Sequence, residues 1–386
     1  MAAPWRALWR ALLRPRGPRA EPGGRRGVRA LRRSPVRVLQ PQSPREQPPP
    51  PPPPAVERGA AAPGLWYEKA AAGDRRLGKV VTIAKSKKFR DNHGKVLLEG
   101  HRLIKDALEA GAVPQTLFFS TVRHLKLLPE AEIKRASLVK VKFEDIKTWS
   151  DLVTPQGLLG IFSKPDPAKM SYPAAQLASS LPLLLICDNI RDPGNLGTIL
   201  RSAAGAGCEK VLLTKGCVDP WEPKVLRAGM GAHFRVPIVA SLDWDSVPTN
   251  LPAGTQVCVA DNNAPSSSSL PRGAASAPVK PSPRAAPEHQ DEEGAAIPEL
   301  AVQHYYEDWA KAPVAVVVGG ETQGLSPAAL RLAASTGGRR LLIPVVPGMD
   351  SLNSAIAAGI LLFEGRRQLL CRHKQEDGRH KLPVPG

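Results

Sequence analysis

The sequence predicts an α/β fold in which a parallel sheet forms the larger of two folded domains. Three observations favour this fold class. Val314–Val318 is an apolar run rich in β-branched residues, typical of a strand buried on both faces of a parallel sheet. Short apolar runs alternate with stretches of helical periodicity, as they do in βαβ units. The 386 residues leave room for two moderate domains and additional tails.

Residues 1–60 are predicted to be a mitochondrial presequence followed by a linker. One face of the predicted helix is apolar, formed by Trp5, Leu8, Trp9, Leu12 and Leu13. Arginines occupy the other faces and no acidic residue precedes Glu21, which is typical of a presequence and predicts a location in the mitochondrial matrix. A basic disordered tail that contacts RNA or nuclear import receptors is the alternative. Pro48–Pro54 is a polyproline spacer.

Residues 78–165 are predicted to form a small α/β domain. Apolar residues at helical spacing, closed by Gly111, predict a helix at His101–Ala110. The other predicted elements are strands at Lys95–Glu99, Thr116–Ser120, Leu138–Val141 and Gly157–Phe162, and a helix at Phe143–Leu152. The start of the domain is basic, with Lys79, Lys85, Lys87, Lys88 and Arg90. This cluster either contacts RNA phosphates or is an ordinary solvated helix face.

Residues 180–370 are predicted to form the second domain. Its first half contains predicted strands at Leu183–Cys187, Val211–Thr214, Pro237–Ala240 and Val257–Ala260, and predicted helices at Leu196–Ala206 and Lys224–Met230. Residues 262–300 are then rich in Ser, Pro and Ala with almost no periodicity, which predicts a disordered insertion. The tail 372–386 is polar and is predicted to be flexible.

The second domain resumes at Val314–Val318. That strand stops at Gly319-Gly320, the residue pair best able to turn sharply beside a ligand. The remaining predicted elements are a helix that begins at Ser326-Pro327 and stops at Gly337, a strand at Leu341–Ile343, an irregular loop at Val345–Asp350 and a last helix capped by Ser351.

The composition indicates a polyanionic partner and no membrane insertion. The net charge is +18 and the pI is near 10.0, which favours RNA or DNA as the partner. No apolar run approaches the roughly 18 residues that span a bilayer. The cysteines show no C-x-x-C spacing and are predicted to be reduced core thiols: Cys187, Cys208, Cys217, Cys258 and Cys371.

Common catalytic signatures are missing from the sequence. It contains no G-x-x-x-x-G-K-[ST], G-x-G-x-x-G, H-E-x-x-H or G-x-S-x-G. This argues against a P-loop nucleotide hydrolase, a standard dinucleotide-binding fold, a zinc protease and a serine hydrolase.

Three Gly-containing or polar loops remain, each after a strand of the larger domain. They carry Asn195 and Arg201, then Gly319, Glu321 and Gly324, then Ser351 and Asn353. Each loop could be only a turn, a strand exit or a helix cap, and Arg201 alone could be an ordinary solvated arginine. Together, at the carboxyl ends of strands in one domain, they predict a small-ligand site.

The same segments resemble the motifs of a known enzyme class. DNIRDPGNLGTILRSAAGAG at 188–207 resembles motif one of the SpoU/TrmH class of SPOUT RNA 2′-O-ribose methyltransferases. GGETQGL at 319–325 resembles motif two, and IPVVPGMDSLNSAIAAGILLFE at 343–364 resembles motif three, in the same order and spacing. Residues 78–165 resemble, more loosely, the small ribosomal-protein-like RNA-binding domain that precedes the catalytic domain of this class. Ser354 and the three residues after it depart from the usual run, and the insertion is long for the class.

The resemblance implies S-adenosylmethionine as the methyl donor, with no metal, held in a deep trefoil knot. It implies that the cofactor contacts backbone at Gly319, Ile343 and Leu352. It assigns the catalytic arginine to Arg201, and the positions around it to Asn195, Glu321, Ser351 and Asn353.

The implied reaction is an in-line attack of a ribose 2′-hydroxyl on the methyl group of the cofactor. The site must stabilise the alkoxide that develops as the hydroxyl loses its proton. The pKa of arginine is above about 12, so arginine is a poor proton acceptor. Arg201 is therefore interpreted as an electrostatic clamp on the hydroxyl or the adjacent phosphate, with Ser351 and Asn353 orienting it and the proton passing to phosphate or water.

The resemblance and the Arg-rich start together predict a mitochondrial large-subunit rRNA methyltransferase. Its substrate would be a guanosine in that rRNA or in a pre-ribosomal particle, with a role in ribosome assembly. The class also implies a homodimer in which the partner subunit completes the pocket, although the small residues at 355–359 fit core packing equally well. The alternatives are a catalytically inactive rRNA-binding assembly factor, and a small-molecule enzyme with an unrelated cofactor site, which leaves the basic surplus unexplained.

Overall fold

The structure, a computed structural model, describes residues 57–62, 65–71, 74–150, 154–262, 299–349 and 351–379. The predicted presequence and polyproline spacer fall in 1–56, and almost all of the predicted insertion falls in 263–298, so both lie outside the described residues. These two interpretations stay predictions.

The first domain contains six strands and seven α-helices among its described residues. In chain order these are β1 (Arg58–Ala62), β2 (Leu65–Lys69), α1 (Arg75–Lys85), α2 (Lys87–His93), β3 (Lys95–Glu99), α3 (His101–Glu109), β4 (Pro114–Phe119), α4 (Arg123–Lys126), α5 (Glu130–Ile133), β5 (Ser137–Lys140), α6 (Phe143–Trp149), β6 (Leu158–Ser163) and α7 (Ala174–Ala178). The elements predicted for this domain are present, with ends that differ by a few residues.

The strands of the first domain form a mixed sheet in the order β1-β2-β5-β4-β6-β3. β2, β5 and β4 are parallel, whereas β1, β6 and β3 run antiparallel to their neighbours. Neighbouring residues of one strand enter different cores: Phe118 packs with Val139 on one face, and Phe119 packs with Leu138 on the other. Helices therefore cover both faces of this sheet.

Two helices that the sequence analysis did not predict precede β3. Asp74 caps α1 by accepting from the Arg76 N–H at 2.9 Å, and Ser86 caps α2 by accepting from the Phe89 N–H at 3.2 Å. The basic side chains of this segment separate into two groups. Lys79, Lys85, Lys87 and Lys88 are exposed. Arg90 is buried and paired with Asp219, so including it in a phosphate-binding cluster was wrong.

The second domain contains seven strands and four α-helices in the part that the structure describes. They are β7 (Leu181–Asp188), α8 (Pro193–Ala206), β8 (Cys208–Thr214), α9 (Pro223–Gly229), β9 (Ile238–Leu242), β10 (Gln256–Ala260), β11 (Val302–His304), β12 (Val314–Gly319), α10 (Pro327–Ser335), β13 (Arg340–Leu342) and α11 (Ser354–Arg379). The strand order is β11-β13-β10-β12-β7-β8-β9, and every neighbouring pair is parallel. The predicted parallel α/β sheet is confirmed.

The strand β12 shows why this sheet is parallel and buried. Val314, Val316 and Val318 pack into the core beneath one face, and Ala315 and Val317 pack into the core beneath the other. All five residues are buried, as the apolar run predicts.

The last helix differs from its prediction at both ends. It begins at Ser354, and the Asn353 Oδ1 accepts from the N–H groups of Ala355 and Ile356 at 2.9 and 3.3 Å. Asn353 is therefore the N-cap, and the assignment of that role to Ser351 was wrong. The helix continues to Arg379, so the flexible tail expected from residue 372 is helical over its first eight residues.

The two domains share one apolar core at their junction. Trp221, Leu226 and Phe234 of the second domain belong to the same cluster as Leu98 and Leu117 of the first. This shared core fixes α9 against the first domain.

The cysteines are free thiols, as predicted, but not all of them lie in the core. Cys187, Cys208 and Cys258 are buried, and burial raises the pKa of each thiol. Cys371 is exposed on α11. Within the described ranges, no helix is long and apolar enough to cross a membrane.

Candidate functional site

The candidate site lies at the carboxyl ends of the central strands of the parallel sheet. From β7 the chain continues to β8 and β9 on one side, and then crosses to β10 and β12 on the other. The strand order therefore reverses between β7 and β12. Ligands of open α/β sheets bind in the crevice outside such a switch point.

Three of the predicted residues form one hydrogen-bonded cluster at this crevice. The Asn195 Nδ2 donates to the Glu321 Oε1 at 2.8 Å. The Asn353 Nδ2 donates to the same Oε1 at 2.5 Å and to the Asn195 Oδ1 at 3.0 Å. Asn195, Glu321 and Asn353 are hereafter called the amide–carboxylate cluster. It joins three segments of the chain that are far apart in sequence.

Local structure holds each member of the cluster in place. Asp192 caps α8 by accepting from the Asn195 N–H at 2.7 Å, and Pro193 is the first helical residue. Asn195 is therefore fixed in the first turn of α8. On the opposite side, the Asn353 side chain is held by its own cap to α11.

Asp188 positions the loop that carries Glu321. This carboxylate is buried at the end of β7, and its Oδ2 accepts from the Ser326 N–H at 2.6 Å. The Asp188 carbonyl also accepts from the Gly320 N–H at 3.0 Å. Both ends of the 320–326 loop are thus tied to one residue of the neighbouring strand.

Gly319 and Gly320 are required by close contacts between backbones. A Cβ at Gly319 would lie 2.5 Å from the carbonyl oxygen of Gly324, and a Cβ at Gly320 would lie 2.5 Å from that of Asn189. Each distance is far shorter than van der Waals contact. The loop can fold against itself and against the end of β7 only without side chains at these positions.

A cavity of about 500 Å³ lies outside the ends of β10, β12 and β13. Its volume falls within the range of about 300–1,000 Å³ for small-molecule sites. The predicted cofactor contacts Gly319, Ile343 and Leu352 line it, and so do Glu321 and Ser351. The sequence-predicted cofactor residues therefore share one cavity.

A smaller cavity of about 60 Å³ adjoins the first. Asn195, Asp192 and Arg191 line it, and Gly320, Glu321, Gln323 and Ser354 line both cavities. The amide–carboxylate cluster stands at this boundary. A group bound in the small cavity would face a ligand in the large one.

Arg201 is not part of this arrangement within the chain. It lies on an exposed face of α8, lines neither cavity, and makes no hydrogen bond or ion pair with any residue in the described ranges. It follows Asn195 by six positions, which places the two side chains about 120° apart around the helix. Ser351 lines the large cavity but does not join the cluster.

Several polar residues of the large cavity were not predicted from the sequence. Asp261 and Arg340 form an ion pair of 2.7 Å there, and the Asn262 Oδ1 accepts from the Ile343 N–H at 3.3 Å. Asp261 and Asn262 directly follow the predicted strand at Val257–Ala260. Polar residues at the carboxyl end of a strand in a parallel sheet are candidate ligand contacts, so this position could have identified them.

A second missed contact links the loops after β7 and β12. The Asn189 Nδ2 donates to the Gln323 Oε1, and the Arg191 Nη2 donates to the same oxygen at 3.2 Å. Asn189 has a positive φ of 57°, which a non-Gly residue adopts at some cost.

The described residues of the site support neither a cysteine nucleophile nor a bound metal ion. Burial raises the pKa of Cys217, the thiol near this crevice, and its Sγ is held by the Ile190 N–H and the Cys187 carbonyl at 3.3 Å each. It is suited to packing and not to nucleophilic attack. In the part of the chain that the structure describes, no group of His, Cys, Asp or Glu is arranged to hold a metal ion.

Both domains match known protein families. Residues 182–363 match the SpoU rRNA Methylase family, and residues 79–160 match the MRM3-like substrate binding domain. The chain is 57% identical to a Homo sapiens protein named "rRNA methyltransferase 3, mitochondrial", over 92% of each chain. It is 26% identical to a Bacillus subtilis protein named a 23S rRNA guanosine-2′-O-methyltransferase, over 73% of this chain and 92% of that one.

A solved structure has a similar fold. The AdoMet-bound rRNA methyltransferase from Sinorhizobium meliloti aligns with a TM-score of 0.57 and 26% identity, covering 78% of this chain and 98% of that one. The similarity therefore extends over both domains and is not restricted to the three motifs.

Proposed function

Because this chain belongs to the SpoU rRNA methylase family and is an S-adenosylmethionine-dependent rRNA methyltransferase, we propose that it methylates a ribose 2′-hydroxyl of a guanosine in mitochondrial large-subunit rRNA. The observation that carries this proposal is the amide–carboxylate cluster at the boundary of the two cavities. The Bacillus subtilis relative supports ribose methylation of guanosine in large-subunit rRNA, because its name describes that reaction.

The large cavity fits S-adenosylmethionine in size and in chemistry. Leu325, Leu341 and Leu352 offer apolar surface for an adenine ring, and the carboxylate of Glu321 suits a positively charged sulfonium or ammonium group. When bound, the cofactor supplies a methyl group on a positively charged sulfur. The Ile343 N–H already donates to Asn262, so Ile343 would contact the cofactor through its carbonyl.

The amide–carboxylate cluster is arranged to orient a hydroxyl beside the large cavity. The Asn353 Oδ1 is engaged by α11, and its Nδ2 donates to Glu321 and Asn195, so neither amide can flip without losing these bonds. The Asn195 Nδ2 keeps one N–H beyond the one given to Glu321. That N–H can donate to a substrate oxygen as negative charge develops, in a site that is already organised.

Arg201 suits contact with RNA from the exposed face of α8. Its guanidinium has no partner in the described ranges and is free to bind a phosphate or the attacking hydroxyl. Because it lies on another side of α8 from Asn195 and lines neither cavity, Arg201 meets the reacting groups through bound RNA or across a subunit interface. We therefore assign Arg201 to substrate binding and charge stabilisation.

A homodimer is the second part of this proposal. Ile356 and Phe363 lie on one face of α11, seven residues apart, and are 54% and 50% exposed. A Cβ at Gly205 of α8 would lie 3.6 Å from the Phe363 ring, so this apolar face continues beside α8, four residues after Arg201. Ala355 and Ala358, in contrast, are buried in the core. A second copy on this face would bring its own groups next to Arg201.

The site of action follows from the predicted presequence and from the relatives. Relatives that are 57% and 55% identical to this chain are named mitochondrial, which supports a mitochondrial location for this protein. We place it in the matrix because its proposed substrate, large-subunit rRNA or a pre-ribosomal particle, is assembled there. A role in ribosome assembly follows from that substrate.

Methyl transfer from tritiated S-adenosylmethionine to mitochondrial large-subunit rRNA and to immature large subunits tests the proposal. A 2′-O-methyl group protects the neighbouring phosphodiester from alkali, so the label should appear in alkali-resistant dinucleotides that contain guanosine. Alkali-labile label would overturn ribose methylation. RNA binding without any transfer would favour the inactive assembly factor.

Variants of two exposed arginines test the role of Arg201. We expect Arg201→Ala to abolish transfer while the affinity for S-adenosylmethionine, measured by calorimetry, stays nearly unchanged. Arg331 is an exposed arginine on α10 that lines neither cavity. Arg331→Ala is therefore the matched control, and it should transfer the methyl group normally. Equal loss of cofactor affinity and transfer in Arg201→Ala would contradict the assignment.

A further inference from the structure

A third cavity, of about 270 Å³, lies at the junction of the two domains. Its walls come from β3, α3 and α6 of the first domain and from α9 of the second. It shares no lining residue with the two cavities of the candidate site. We propose that this junction cavity binds one unpaired base of the RNA substrate, with Arg102 and Arg227 contacting the flanking phosphates. This inference rests on the proposed function, because it takes RNA as the substrate.

The size and the lining of the junction cavity suit a nucleobase. Its volume is just below the range of about 300–1,000 Å³ for drug-sized ligands, and a base is smaller than those ligands. Trp149, Leu103 and Met230 contribute apolar surface. Stacking of a base on an aromatic side chain is worth about 1–3 kcal/mol and tolerates any base.

Polar groups at the junction cavity match the edge of a base. The Gln156 Oε1 accepts from the His101 N–H at 3.0 Å, which fixes the side-chain amide. The amide also forms a hydrogen bond with the His101 side chain, and a base oxygen or ring nitrogen can accept from its Nε2.

Two unpaired arginines outnumber the one carboxylate that lines the cavity, that of Glu99, and give the cavity a positive rim. Arg102 and Arg227 line it, are exposed, and form no hydrogen bond or ion pair with any described residue. The surrounding domain adds to this charge, because residues 78–165 contain sixteen Lys and Arg against nine Asp and Glu, a surplus of seven. An RNA backbone is the partner that this charge attracts.

Met230 is held in a strained conformation at the wall of the cavity. Its φ is +48°, in the left-handed region, and its side chain is 43% exposed. A non-Gly residue in that region costs roughly 1–2 kcal/mol. Met230 is the C-cap of α9, where many helices adopt this conformation, and the end of the helix leaves its side chain at the wall of the cavity.

The helix α9 connects the junction cavity to the catalytic site. Pro223, Leu226 and Arg227 line the cavity on one side of α9. On its other side α9 packs so closely on α8 that a Cβ at Gly197 would lie 2.5 Å from the Ala228 Cβ. Gly197 is two residues after Asn195. Two positions correspond to about 200° around a helix, so Asn195 lies on the side of α8 that faces away from α9. The cavity and the cluster are therefore separated by about two helix diameters, roughly 20 Å, a span that a single RNA strand of several nucleotides can bridge.

Fluorescence anisotropy of the full-length protein with labelled single-stranded hexauridylate and hexaadenylate tests the charged rim. We expect Arg102→Ala/Arg227→Ala to weaken binding of both oligonucleotides about tenfold or more. The slope of log affinity against log salt should fall by about 0.7 for each phosphate that the variant no longer neutralises. Arg331→Ala is the matched control and should bind as the wild type does. Wild-type affinity and salt slope in the double variant would overturn the proposal.

The base pocket itself has a separate test. Met230→Gly relieves the backbone strain and removes one wall, so it should keep the wild-type melting temperature and lose about threefold or more in affinity. A hexanucleotide that carries 4-thiouridine, irradiated on the wild-type protein, should cross-link to peptides that contain Trp149 or Met230. Cross-links confined to other surfaces would overturn the proposal.

Methyl transfer measured in parallel separates this inference from the proposed function. The double arginine variant should show a raised KM for rRNA and an unchanged kcat, because its catalytic cluster is intact. A wild-type protein that methylates ribose, with variants indistinguishable from it, rejects the junction cavity alone. Cross-linking at Trp149 or Met230 without any ribose methylation rejects the proposed function alone.

Discussion

Arg90 and Asp219 form a buried ion pair across the junction of the two domains. The Arg90 Nε and Nη2 lie 2.8 and 2.7 Å from the Asp219 Oδ2, and both side chains are at most 5% exposed. The Arg90 Nη1 also donates to the carbonyls of Ile83 and Ala84 at 2.8 and 2.9 Å. The guanidinium therefore ties the end of α1 to the segment that leads into α9.

Breaking this ion pair should destabilise the protein strongly. Asp219→Ala leaves the buried Arg90 charge without its carboxylate, so we expect the free energy of unfolding to fall by about 3–5 kcal/mol. Urea denaturation measures this change. Asp243→Ala breaks the exposed Lys215–Asp243 pair and is the control, with an expected loss of at most about 1 kcal/mol. Similar losses in both variants would contradict a structural role for the buried pair.

Asn353 has two functions that different substitutions should separate. Asn353→Ala removes the cap of α11 and should lower the free energy of unfolding by about 1 kcal/mol. Asn353→Asp keeps the cap but removes the amide that donates to Glu321 and Asn195, and places a second carboxylate beside Glu321. It should keep most of the stability and lose transfer about a hundredfold or more, measured with tritiated cofactor. Ser351→Ala should leave the melting temperature unchanged, and a fall equal to that of Asn353→Ala would argue against the observed cap.

Gly319 should not tolerate a methyl group. In Gly319→Ala the new Cβ meets backbone at 2.5 Å, which cannot move as a flexible side chain would. We expect a loss of about 1–3 kcal/mol in the free energy of unfolding and at least tenfold weaker binding of S-adenosylmethionine by calorimetry. Gly78→Ala is the control: no atom lies within 4 Å of its added Cβ, and it should stabilise α1 by up to about 1 kcal/mol. Normal cofactor binding by Gly319→Ala would contradict the packing described here.

His233 should make the folded state sensitive to acid. Burial lowers its pKa to about 4, and its Nε2 lies 2.8 Å from the Pro220 carbonyl as a donor. The unfolded chain takes up a proton near pH 6.5, so it binds more protons than the folded chain between pH 6.5 and 4. The stabilisation is fully present above pH 6.5 and is lost progressively as the pH falls towards 4.

Urea denaturation at pH 7 and pH 5 checks the contribution of His233. The wild type should lose about 2 kcal/mol more than His233→Gln over this interval, since one pKa unit corresponds to about 1.4 kcal/mol. His93→Gln, at an exposed position, should behave as the wild type does. An identical pH dependence in His233→Gln and the wild type would show that another group is responsible.

The sequence was most informative where a short pattern determines the structure. The five apolar residues of β12 predicted a strand buried on both faces. Successive side chains of a strand point to opposite faces, so an unbroken apolar run indicates that both faces are covered. Gly319-Gly320 marked the turn at its end, since no other residue fits there. Both predictions depend on neighbours within a few positions of the chain.

Other features depend on partners far away in the sequence. β1 and β2 pair across the edge of a sheet, and Arg58–Ala62 has neither alternation nor β-branched residues. Ser351 and Asn353 are equally good caps by residue type, and the backbone between them decides which is used. The separation of Arg201 from Asn195, in contrast, could have been found from the sequence, because a spacing of six positions places two side chains on different sides of a helix.

The members of the amide–carboxylate cluster become available in a fixed order as the chain is synthesised. Asn195 and Glu321 are 126 positions apart, and Asn353 is the N-cap of α11, the last element that the structure describes. A chain emerging from the ribosome holds the first two residues before the third, which follows Glu321 by 32 positions. The cluster is therefore completed only when α11 docks, so that a partly synthesised chain lacks one of its three members.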